Sequence, residues 1–98
     1  MAKLPLKHPI KLTENKEIKE LSFREYTVAA DYLSFDKRGG VAQRFALIAS
    51  LTGTDESLIE RLRGIDYRRA EAMADALIEA DAKEFEGEKE PEKKSQES

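Results

Sequence analysis

The chain holds a single histidine, His8, and no cysteine. A histidine acting as general base needs a nucleophile or an orienting carboxylate beside it. His8 lies between Lys7 and Pro9 with neither pattern nearby, and reads as a solvated residue of an N-terminal leader. The lack of cysteine excludes a thiol nucleophile, thiolate zinc sites and disulfide staples. The H-E-x-x-H and D-x-D-x-D-G spacings that gather metal ligands are missing too, so neither a metal nor a cofactor is expected. Asp75, Glu79 and Asp81 fall in a helical stretch, the first two on one face. Carboxylates four apart on a helix read as a solvated surface rather than a hydrolytic pair. Gly39-Gly40 has neither the preceding strand nor the following G-K-[ST] of a phosphate loop, and reads as a helix stop. No catalytic residue is expected, and the chain reads as a non-enzyme.

One pattern points to nucleic acid. Residues 46–63 have the outline of a helix, a turn containing Gly53 and a second helix, so a helix-turn-helix regulator is the alternative reading. Charge opposes it. The second helix would begin Asp55-Glu56 and carry Glu60, placing three carboxylates toward a phosphate surface whose binding depends on cations. Acids in a first turn are better explained by the positive end of the helix dipole. Nucleic acid is therefore not expected as a partner.

The elements that must position any site follow from hydrophobic period. In 98 residues there are 20 acids and 17 bases, a net charge of −3, with 40% hydrophobic and 38% charged side chains. A chain of this size supports one modest core. No apolar run approaches a membrane span, and the first nine residues lack the apolar stretch of a signal peptide, so no membrane partner is expected. Ile10 and Leu12 alternate with polar residues, as do Leu21 and Phe23, and Asn15-Lys16 suits the turn between them: a β-hairpin in which Ile18 is out of phase, so that either an irregularity falls near Lys19-Glu20 or Ile18 packs at the turn. From Thr27, a plausible N-cap, the period becomes helical: Val28, Tyr32 and Phe35; then Val41, Phe45, Ile48 and Ala49, stopped by Gly53; then Leu58, Ile59 and Leu62 behind a Thr54 or Asp55 cap; then a last stripe from Tyr67 through Ile78 to Phe85, capped by Asp66. The fold class is α+β, a small single domain with an N-terminal β-hairpin and about four short α-helices. Residues 1–8 are expected to form a flexible leader, 9–85 the domain, and 86–98, with five acids, three bases and no aliphatic or aromatic side chain, a disordered charged tail. The helical stripes have two readings: all of their apolar surface fills the core of this small domain, or part of it is spare and suits capture of a partner helix. Exposed members of those stripes, Leu58, Ile59 and Phe85, are the candidate partner contacts.

The order of motifs resembles a known family. Leu21-Ser22-Phe23-Arg24-Glu25-Tyr26-Thr27 resembles the "leucine, x, leucine-arginine-glutamate-proline-threonine" approach to the helical part of the phage tail assembly chaperones of Mu-like and P2-like phages. Leu47-Ile48-Ala49-Ser50-Leu51-Thr52-Gly53 is similar to their "L-x-A-x-L-T-G" segment, and Asp66-Tyr67 opens the last helix in the same order. The likeness covers roughly residues 9 to 80. Tyr26 departs from it, standing where the family has a proline that would fix the strand-to-helix corner, and the turn at Asn15-Lys16 is shorter than in many relatives. The resemblance implies a non-enzymatic protein that binds the tape measure protein, the long helical rod that sets tail length. It would keep the rod soluble in the host bacterial cytoplasm until tail tube protein polymerises around it, and be absent from the mature virion. Many relatives also make a longer form by ribosomal frameshifting, for which Glu92-Lys93-Lys94 is the candidate slip.

Overall fold

The computed structural model describes residues 1–36 and 39–97, with side chains at 1–33 and 39–88. Its first elements are β1 (Ala2–Thr13) and β2 (Lys16–Phe23), an antiparallel pair turning at Glu14 and Asn15. The hairpin is longer than its sequence pattern implies. Residues 1–8, expected as a flexible leader, supply the first half of β1, with Ala2 opposite Phe23 and Pro5 opposite Glu20. Leu4 and Leu6, two apart, both face the core and are buried. Pro5 and Pro9 make this segment look like a loop, yet a proline is tolerated on an outer strand that need not donate on both sides.

The register then breaks. Between Pro5 and Ile10 the first strand has four residues where the second has only Lys19, since Ile10 pairs with Ile18. The irregularity expected near Lys19-Glu20 is therefore real, but the surplus residues lie on β1. A second break between Lys11 and Thr13 turns Leu12 outward, so that it is exposed rather than on the apolar face with Ile10.

Among the described residues four helices follow: α1 (Ala29–Asp36), α2 (Gly40–Thr52), α3 (Glu56–Ile59) and α4 (Gly64–Glu97). Gly39 stands at the N-cap of α2, and Gly53 ends that helix in the left-handed conformation, φ 67° and ψ 25°, donating its N–H to the Ala49 carbonyl. Asp55 caps α3 through the Ser57 N–H at 2.9 Å. Thr27 and Asp66 are not the caps they were expected to be, because each side chain is engaged elsewhere in the fold. Phe35 and the Glu92-Lys93-Lys94 run lie outside the residues whose side chains are described.

The helix α2 is the hub, touching α1, α3, α4 and β2, while α4 also lies along β1. The core joins Leu4, Leu6, Ile10, Leu21 and Phe23 of the hairpin to Leu47, Ile48 and Leu51 of α2, Ile59 of α3, Leu62, and Ala70 and Ala74 of α4. Alanines on α4 let it approach closely, and Phe45 meets Tyr67 with ring centroids 5.2 Å apart. The helix runs on to Glu97, where a disordered tail was expected. The packed part of α4 supplies the nucleus from which the helix continues, with Glu, Lys and Gln favouring it and Gly87 and Pro91 opposing it. Residues 82–88 remain exposed, as a segment with so little to bury should be.

Candidate functional site

Among the described residues two acids are wholly buried, Asp31 and Asp66, and both hold the fold together. Asp31, in the first turn of α1, takes a two-pronged contact from Arg24: Nη2 to Oδ1 at 2.7 Å and Nη1 to Oδ2 at 3.2 Å. It also accepts from the Ser50 hydroxyl and, at 2.8 Å, from the Val28 N–H. Reaching back to the residue before the helix is how an acid at the third position closes a capping box, so Asp31 does the work expected of Thr27. Arg24 donates further to the carbonyls of Tyr26 and Ser50, and its own N–H reaches the Leu51 carbonyl. The end of β2, the start of α1 and the end of α2 thus meet on one ion pair. Burial pushes the Asp31 carboxyl up, but Arg24, Ser50 and the Val28 N–H together outweigh it and hold it below the ordinary carboxylate value. The hydrogen bond to Asp31 raises Arg24 in turn, against the effect of burial.

Asp66 does the same for the middle of β1. Its oxygens accept the N–H groups of Lys7 and His8, both at 2.9 Å, and Arg69 at 2.9 Å. These bonds satisfy backbone that the break in β1 leaves without a cross-strand partner. Burial raises the Asp66 carboxyl, and the two N–H groups with Arg69 more than reverse that, leaving it lowered. His8 enters the structure through its backbone; its ring is on the exposed side of the strand.

The other candidate carboxylates do not converge. Asp75 pairs with Arg44 at 3.2 Å, Glu79 pairs with Lys83 at 3.4 Å, and Asp81 accepts from Thr27 and, at 2.6 Å, from the Tyr32 hydroxyl. That bond to Asp81 raises the Tyr32 phenol, with burial adding to it. Tyr67 is pushed up to about 12, first by burial and then by its hydrogen bond to Glu71. Among the described residues no group of three or more His, Asp or Glu side chains is placed to hold a metal ion, and no helix is long and apolar enough to cross a membrane. The would-be recognition helix, α3, is four residues long, too short to line a major groove.

Some of what the fold leaves outward is apolar. Among the described side chains of α1, only Asp31 is buried. Leu33 is 60% exposed and Tyr32 39%, with Val28 at 43% and Tyr26 at 64% just ahead of the helix. Ala29 and Ala30 are exposed as well. Arg24 lies over the Tyr26 ring at 5.6 Å, which fixes the corner where the related pattern has proline. Next to this corner Ala2, Phe23, Met73, Ala76 and Leu77 line an open groove of about 330 Å³, with Arg24 and Glu25 at its rim. Of the three contacts expected from sequence, Phe85 is exposed and stands one helical turn beyond Asp81, on the side of α4 that meets α1. Leu58 is half-buried. Ile59 is a core residue, 1% exposed, and so is withdrawn from the surface. The apolar face of α1 was missed because its residues are spaced like core; the signal was Asp31 among them, with Arg24 seven residues before it.

A family described as phage tail assembly chaperone proteins, E, or 41 or 14, matches residues 3–79. Among the curated proteins and the solved structures no significant match was found.

Proposed function

We propose a role that proceeds from one plain premise: this chain belongs to the phage tail assembly chaperones. It binds the tape measure protein, keeps that apolar helical rod from aggregating, and gives way when tail tube protein polymerises around the rod. It works by covering surface and performs no catalysis. It acts in the host bacterial cytoplasm, is absent from the mature virion, and has a frameshifted longer form of itself as a further partner.

One observation carries this reading: α1 buries Asp31 and exposes its described apolar side chains. A contiguous exposed apolar face on a small protein marks a place where something docks. Val28 and Tyr32, four apart, with Leu33 beside them, match the spacing by which one helix lies against another. Phe85 extends the surface; Leu58 is the less accessible candidate. The chain's net charge of −3 lends solubility to what it covers.

The test is co-expression with the rod protein. Wild type should raise the rod's soluble fraction several-fold, and a Leu33→Glu/Val28→Glu variant that melts like wild type should not. Equal rod solubility with and without this chain would end the proposal.

A further inference from the structure

The rest of the fold treats the two edges of the hairpin differently. On β1 the backbone is occupied: Lys7 and His8 donate to Asp66, and the Lys11 carbonyl accepts from Arg61 Nη2 at 2.6 Å. On β2, among the described residues, no backbone group of residues 16–22 bonds to anything beyond the hairpin; the first such bond, from the Arg24 N–H to the Leu51 carbonyl, comes after the strand ends. Among the described residues the sheet has two strands. An unpaired edge is a template for a further strand, and charged side chains along it decide which strand is admitted.

Here the charges are self-complementary. The edge reads Lys16-Glu17-Ile18-Lys19-Glu20, and reversing that order about Ile18 exchanges every Lys with a Glu. We propose that β2 pairs antiparallel with β2 of a second copy of this chain, on a two-fold axis at Ile18. Lys16 then stands opposite Glu20, and Glu17 opposite Lys19, each pair occurring twice. Parallel pairing in register would set like charges side by side, so the sequence selects the orientation as well as the partner. The four side chains are exposed, and the ion pairs that three of them make among the described residues are long, Lys19 to Glu17 at 3.9 Å and Lys3 to Glu20 at 3.6 Å. Ile18 is half-buried, leaving part of it to meet its symmetry mate. The pairing does not rest on the tape measure reading; where both hold, one dimer carries two α1 faces and gains from bivalent attachment.

Sedimentation of the full chain, from micromolar to millimolar protein, tests this. Wild type should self-associate reversibly into dimers. Lys16→Glu/Lys19→Glu places acid opposite acid at all four pairs, and Glu17→Lys/Glu20→Lys places base opposite base. Each should weaken the dimer more than about tenfold, and an equimolar mixture of the two should restore it. Arg63→Glu/Arg68→Glu, with the same change in net charge away from the edge, should dimerise as wild type does. Amide exchange on wild type reads the same contact without mutation: protection of residues 16–20 should rise with protein concentration. A wild type that stays monomeric at millimolar concentration overturns the proposal. So does a dimer that survives both charge reversals, or protection at 16–20 that ignores concentration.

Discussion

Helices α1 and α2 are neighbours in sequence and in space, yet they are built in opposite senses. In α2 the buried residues are Ala46, Leu47, Ile48 and Leu51, and this face is the centre of the core. Among the described side chains of α1 the buried one is Asp31, and Val28, Tyr32 and Leu33 at and just before the helix look outward. A helix held by its apolar face owes its place to the hydrophobic effect. Helix α1 is tied by an ion pair and a cap, and its described apolar side chains stay outside. The contrast assigns the two helices to different tasks: α2 makes the fold, and α1 presents a surface whose loss the fold should hardly notice.

The largest effect that would break this contrast lies in α2. Leu47 is fully buried, and Leu47→Ala should cost about 3–4 kcal/mol by lost transfer and cavity formation. In a domain of this size that lowers the melting temperature on the order of 15 °C. A fall of only a degree or two in a thermal melt would mean that α2 is not the hub. Next comes the tie between the helices. Asp31→Ala leaves the Arg24 guanidinium without its partner among buried groups and should cost about 3 kcal/mol, read from the urea midpoint. Asp66→Ala strands backbone N–H groups and the half-exposed Arg69, a smaller loss of about 2 kcal/mol.

The same two acids set the response to pH. Both carboxyls titrate lower in the folded chain than their ordinary value. Their contribution is therefore complete above the unfolded carboxylate range, about pH 4, and is lost as pH falls through the folded values. The urea midpoint should be flat from neutrality down to that range and then drop. In an Asp31→Asn/Asp66→Asn variant the drop should be shallower, from a lower starting stability. An equally steep acid limb in the variant would place the sensitive groups elsewhere.

Much of this was legible in the chain. Leu21 and Phe23 announce β2 by alternation, Gly53 announces the end of α2, and Asp55 announces the start of α3, because each signal is local. What was not legible depends on distant residues. Asp66 has the look of a cap, but Lys7 and His8, nearly sixty residues away, claim its oxygens. For the same reason the first eight residues have the look of a leader until Asp66 satisfies their backbone. Ile59 and Leu58 are adjacent and equally apolar, and only the packing of α3 decides that Ile59 is core. The α1 surface is the sharpest case. Its apolar residues carry a helical period, and periodicity says that a face exists without saying whether it turns inward. Pairing Asp31 with Arg24 is what turns it out.

The smallest expected change in stability is therefore the most telling. Leu33 is 60% exposed, and surface substitutions away from a packed site stay within about 0.5 kcal/mol. Leu33→Ser should leave the urea midpoint where it is. If α1 were folded inward in solution, the same substitution would cost as much as a core truncation, about 2–3 kcal/mol, and the contrast with α2 would collapse. If α1 is a docking face, the variant keeps its melting temperature and loses its hold on the partner. A stability measurement alone reads the first of these outcomes, and the pair of measurements separates a surface that is exposed from one that is used.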